Sequence, residues 1–187
     1  MMSSCFSVLS LLLLVLVFCN GDSFQNPKDD VDELLKLRSS ICYAAEKAGV
    51  PSALLAGIIS RVSGAGRMLN ENGYGQHGYG VMQIAEKHGA DTKFGPFSRD
   101  HILQGAQILH DLMHSIHEKH PGIMMDQQFR GGILAYRVGV ENLRPPDLIH
   151  SDMPEQQYAN DVLRRTSFFE QQGFGRKECT NIQHEDL

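Results

Sequence analysis

The chain has 187 residues, 42% of them hydrophobic and 21% charged, with a formal net charge of -5 at pH 7. That balance allows one domain with a proper core and argues against nucleic acid or a bare anionic membrane as partner. Protonating all nine histidines would carry the formal charge from -5 to +4, so attraction to acidic polymers is expected to be strongest in an acidic compartment.

Met1 to Ser7 carries no charged side chain, and the apolar run Val8 to Phe18 that follows is too short to span a bilayer but suits a signal peptide. Small residues in Cys19-Asn20-Gly21 place the expected cleavage after Gly21; the alternative is a buried N-terminal helix. Removing the first 21 residues leaves 166, with no later run of membrane-span length, so a secreted, soluble, monomeric product is expected. Within it, 22–174 reads as one domain and 175–187 as a polar tail. Cys5 and Cys19 would leave with the signal, and Cys42 and Cys179 remain. They either form a single bridge that pins the tail or stay as a buried thiol and a tail thiol, since sequence does not give their separation.

The spacing of Val31, Leu34, Leu35, Ile41, Cys42 and Ala45 predicts a helix from Asp29 to Val50. A second helix, starting near Pro51 and running to about Arg61, is apolar on nearly every side and belongs at the centre of the fold. Gly64 to Gly80 holds six glycines in seventeen residues and must turn repeatedly; Tyr79 to Ile84 then suggests a small strand or hairpin. Ser98 is the expected N-cap of a third helix that ends at Pro121-Gly122, with Ile102, Ala106, Leu109, Met113 and Ile116 along one face. Asp126 is expected to cap a fourth helix through Phe129, Ile133 and Tyr136. A fifth, beginning after Asp152 with Pro154 in its first turn, carries Tyr158, Val162 and Phe169 and stops at Gly173. The expected class is mainly α, in an α+β arrangement: a helical bundle around a buried central helix, with a small β region at a cleft. His110, His114 and His117 fall on one side of the third helix, a spacing that invites zinc, but a polar face opposite the apolar stripe is the simpler reading. No cofactor or metal is expected.

Several segments together resemble goose-type lysozyme, of glycoside hydrolase family 23. They are Gly57-Ile58-Ile59-Ser60-Arg61, Gly80-Val81-Met82-Gln83-Ile84, His101-Ile102-Leu103-Gln104-Gly105, Arg130-Gly131-Gly132-Ile133-Leu134-Ala135-Tyr136 and Tyr158-Ala159-Asn160-Asp161-Val162, followed by Gln172-Gly173-Phe174. The resemblance implies a lysozyme-like fold and hydrolysis of the β-1,4 bond between N-acetylmuramic acid and N-acetylglucosamine, with a role in antibacterial defence. It also implies a general-acid glutamate at the end of the buried helix, where this chain has Val62. A valine has no proton to give.

Other departures accompany it. The aspartates that the resemblance implies after the glycine-rich loop and after the Met-Gln pair are replaced by Gln76 and Ala85, so no second carboxylate is in place to activate water. The family's Tyr-Asn-Ala-Gly stretch reads Tyr136-Arg137-Val138-Gly139, and Arg137 crowds or recharges that part of the groove. Tryptophan is absent, and Tyr74 stands where the family commonly has one. Glu71 in the loop and Glu86 after Ala85 are nearby in sequence; Glu71 is the substitute acid that movement of its loop would bring to the groove, and the simpler reading makes Glu71 a solvated loop residue and Glu86 a surface charge. Tyr136, Tyr158, Gln83 and His88 match groove positions, although both tyrosines also suit apolar core faces and His88 an ordinary surface. Three functions are expected in turn: a muramidase scaffold with activity lost or reduced that still binds peptidoglycan or chitin-like oligosaccharides; a weak lysozyme using Glu71; and a protein-binding module on the same scaffold.

Overall fold

The computed structural model describes residues 26–144 and 154–185. The expected signal segment and Asp152 lie outside them. The chain enters through a short 3-10 turn, Pro27–Asp30, with Asn26 as its N-cap. The helices that follow are α1 (Val31–Lys36), α2 (Arg38–Ala48), α3 (Ser52–Ser63), α4 (Arg99–Lys119), α5 (Met125–Val138), α6 (Pro154–Phe169) and α7 (Arg176–Glu185).

The helix expected over Asp29 to Val50 is divided. Leu37, at φ -94° and ψ 1°, interrupts it between α1 and α2, and Gly49 ends α2 in a left-handed conformation. Both pieces bury the expected face, with Leu34, Ile41, Cys42 and Ala45 inside. Ser98 caps α4 as expected, its hydroxyl accepting from His101 N. The cap of α5 differs: Met124 holds that position and Asp126 lies in the first turn. Beyond α6 a wide turn, Glu170–Phe174, leads to α7 in the segment read from sequence as a polar tail. Cys42 and Cys179 are joined by a disulfide with Cα atoms 5.2 Å apart, which fastens α7 to α2.

α3 is the centre of the molecule. Ser52 to Ser60, Val62 and Ser63 are all buried, and only Arg61 reaches partly into solvent. Its main neighbour is α6, and the approach is close because position 57 is glycine: a Cβ there would sit 2.9 Å from Thr166 Oγ1 and 3.0 Å from the Val162 carbonyl oxygen. Ser52 Oγ donates to the Phe174 carbonyl at 2.7 Å, tying the start of α3 to the end of the α6 turn. At the other end, Ser63 Oγ donates to the Val81 carbonyl (2.8 Å) and accepts from Gly66 N (3.1 Å), tying α3 to the loop that follows.

The expected small β region does not exist. Among the described residues there is no strand, and pairing is confined to isolated bridges between Tyr74 and Tyr79 and between Tyr79 and Ile84. The backbone explains why. Gly80 (φ 67°) and Gln83 (φ 51°) are left-handed, so the chain folds back within four residues and the alternating pleat of a strand never starts. The fold is therefore all-α among the described residues, with an irregular, glycine-rich loop in place of a sheet.

Candidate functional site

Val62 lies in the last turn of α3, 5% exposed, as part of the main apolar cluster. Its neighbour Arg61 points the other way chemically. The Arg61 guanidinium carbon lies 5.4 Å from the centroid of the Tyr158 ring, and its Nε is 2.9 Å from Asp161 Oδ2. Arg137, from the last turn of α5, lies 4.9 Å from the same centroid. Tyr158 is buried, and burial pushes its hydroxyl up to about 12 against the lowering influence of the two arginines.

Tyr136 is buried beside it and donates from its hydroxyl to the Met82 carbonyl at 3.0 Å. Burial, with the neighbouring Tyr158 adding to it, raises the Tyr136 hydroxyl far above its ordinary range. His88 stacks on Tyr136 with centroids 5.9 Å apart, and its Nε2 donates to the Tyr136 carbonyl at 3.0 Å. Its pKa is lowered, chiefly by burial and against the carbonyl bond that favours its charged form. Tyr136, Tyr158 and His88 thus lie together, with both tyrosine hydroxyls kept protonated and that of Tyr136 engaged by Met82.

Gln83 has a different part. Its Oε1 accepts from His77 N (3.0 Å) and Gly78 N (3.2 Å), and its Nε2 donates to the Gly80 carbonyl (2.8 Å). The amide is spent inside the loop and holds its own strained backbone in place. Nearby, His101 is fully buried and receives a hydrogen bond from Met82 N at 3.2 Å on Nε2. Burial depresses its pKa to about 4, so the ring is neutral at physiological pH. A Cβ at Gly80 would collide with that ring.

Ala85 precedes the short turn Glu86–His88 and offers no polar atom beyond its backbone. Gln76 and Glu71 are exposed on the loop. No hydrogen bond or ion pair among the described residues links Glu71 to Tyr136, Tyr158 or Val62. The three helical histidines are exposed on α4; His114 Nε2 is 3.3 Å from Glu118 Oε1, and Nδ1 of His117 is 2.8 Å from Gln128.

Sequence reasoning missed a buried charge network behind Tyr158. Asp30, fully buried, accepts from Ser60 Oγ at 2.5 Å and is paired with Arg67. Arg165 Nη1 donates to the same Ser60 oxygen at 2.6 Å and lies 3.6 Å from Asp30 Oδ2. Arg165 Nε meets Asp161 Oδ2 at 3.1 Å, and Arg164 meets Asp161 Oδ1 at 3.1 Å. Two signals were available: a serine inside an apolar helix, and an aspartate three and four residues before two arginines on α6.

A sequence profile of the lysozyme g family matches residues 21–173. Among relatives, lysozyme g of Gallus gallus is 36% identical, over 78% of this chain and 69% of its own. Lysozyme g of Epinephelus coioides is 34% identical, over 78% and 80%. Lysozyme g-like protein 2 of Mus musculus is 31% identical, over 78% and 66%. With the profile spanning most of the molecule, and with the buried helix and tyrosine wall in place, the chain belongs to the lysozyme g family.

Proposed function

We propose that this chain is a secreted lysozyme g scaffold whose muramidase chemistry is lost or strongly reduced and whose groove binds peptidoglycan or chitin-like oligosaccharides. The observation that carries the reading is the apolar surroundings of Val62. An acid that protonates a glycosidic oxygen near neutrality needs a carboxyl group in a water-poor, apolar environment. Val62 lies in such an environment and carries no carboxyl. The buried carboxylates among the described residues are held by arginines, Asp161 by Arg61, Arg164 and Arg165 and Asp30 by Arg67 and Arg165, and Glu71 is exposed. With Gln76 and Ala85 in the assisting positions, water also lacks a base. Loss of a positioned acid alone costs on the order of 100- to 10,000-fold in rate.

Recognition has better support. Tyr136 and Tyr158 are buried, the Tyr136 hydroxyl is engaged by the Met82 carbonyl, and part-buried His88 stacks on Tyr136 while exposed Arg137 lies over Tyr158. The outer edge of that cluster, His88 and Arg137, offers polar groups on an aromatic base to a sugar.

The test is co-sedimentation with insoluble peptidoglycan and with chitin beads, run beside turbidity clearing of bacterial walls. Retention on the glycan without clearing supports the reading. Clearing that disappears in Glu71→Gln would instead make the chain a weak lysozyme with a loop-borne acid. A protein that stays in the supernatant with both polymers would be a protein-binding module on this scaffold.

A further inference from the structure

The groove wall carries positive charge that the fold does not use. Arg137 is exposed, and no carboxylate among the described residues pairs with it. Its guanidinium is nevertheless held in place, 4.9 Å from the centroid of the buried Tyr158 ring. The cation–π contact restrains the guanidinium, and its N–H donors form a fork matched to a planar carboxylate. An ordinary surface arginine has no such restraint and loses side-chain entropy on each encounter.

A second cation backs it. Lys87, exposed on the turn after Ala85, donates from Nζ to the Arg137 carbonyl at 3.2 Å and also lacks a carboxylate partner among the described residues. Three carboxylates lie in the neighbourhood. Asp161 acts on Tyr158 and is held by Arg61, Arg164 and Arg165, Glu141 influences His88 and accepts from Asn142 Nδ2 at 3.1 Å, and Glu86 is the exposed neighbour of Lys87. None of them forms an ion pair with Arg137 or Lys87. Against a chain of net charge -5, this leaves a local cationic spot directly beside the tyrosine wall.

We propose that Arg137, supported by Lys87, recognises a carboxylate on the bound glycan, so that the groove selects acidic oligosaccharides over neutral ones. This rests on the glycan-binding reading above and adds the charge of the ligand to it. The residue that disturbs the family's Tyr-Asn-Ala-Gly stretch is then a specificity determinant.

The test uses three probes with the intact protein: a neutral N-acetylglucosamine tetramer, a tetramer containing N-acetylmuramic acid with free carboxylates, and the same muramic tetramer with its carboxylates amidated. Affinities are measured calorimetrically at low and at physiological salt for the native chain, Arg137→Gln and Lys87→Gln, with circular dichroism to check folding. The free-carboxylate tetramer is expected to bind about three- to tenfold more tightly than its amidated form, and the gap to narrow with salt. Arg137→Gln should abolish that preference and Lys87→Gln should reduce it. Equal affinity for the acidic and amidated forms, or a preference unchanged in Arg137→Gln, overturns the inference while glycan binding stands. Failure of all three sugars to bind overturns both.

Discussion

Arg61 and Arg137 lie over the same tyrosine ring, at 5.4 and 4.9 Å, in opposite electrostatic circumstances. Arg61 faces inward to Asp161 and, through it, joins the network that runs by Arg165 and Ser60 to Asp30. Arg137 faces solvent with no carboxylate partner among the described residues. The difference separates two uses of charge. Where carboxylates fasten α3 to α6 and to the entering turn, both are present and fully engaged. At the end of α3, where the proposed reading puts the proton donor, the side chain is Val62. Structural charge persists on one side of Tyr158, and on the other the wall has become cationic.

The comparison breaks most visibly through the paired side. Asp161→Ala removes the carboxylate that Arg61, Arg164 and Arg165 share and is expected to cost about 3–5 kcal/mol in urea denaturation; a loss under ~1 kcal/mol would mean the network contributes little. Replacing Cys42 and Cys179 by alanine opens a loop spanning 137 residues, with an expected loss of about 2–5 kcal/mol and earlier exposure of α7 to protease.

His101 gives a buried group held neutral rather than paired. Its folded pKa, about 4, lies below the unfolded value of 6.5, so below 6.5 the unfolded chain binds a proton that the folded one refuses. Its contribution, on the order of 3 kcal/mol, is complete above pH 6.5 and is lost as pH falls toward 4. Denaturation midpoints across that window, native against His101→Gln, should show a shallower slope in the variant. A smaller effect of about 2 kcal/mol is expected for Gly80→Ala, which meets both a left-handed backbone and the His101 ring. Val62→Glu is expected to lose a similar amount, because the carboxyl enters an apolar cluster, and to recover little lysis because Gln76, Ala85 and Arg137 remain.

Much of this was legible in the chain. The unbroken apolar run of α3 announced a central helix, and the stripe from Ile102 to Ile116 announced the buried face of α4. The glycine-rich stretch announced turns but not their geometry. Gln83 is left-handed because its amide is satisfied by three backbone groups of one loop, a tertiary circumstance no local pattern encodes. For the same reason the sequence offered Gln83 as a ligand for sugar and did not show that its amide braces the loop. The break at Leu37 and the helix after Gly175 escaped because each depends on packing rather than on propensity, the latter on the bridge to Cys42. Tyr136 and Tyr158 were visible as candidates on apolar helical faces, and the structure places both in the core.

The most direct measurement is mass spectrometry of a muramic-acid-containing oligosaccharide after prolonged incubation at pH 5 and pH 7, with Gallus gallus lysozyme g run in parallel. On the proposed reading, in which Val62 holds the donor position, the chain should give no more cleavage product than buffer at either pH. Turnover within about tenfold of the parallel enzyme would contradict this, since a missing positioned acid costs at least about 100-fold.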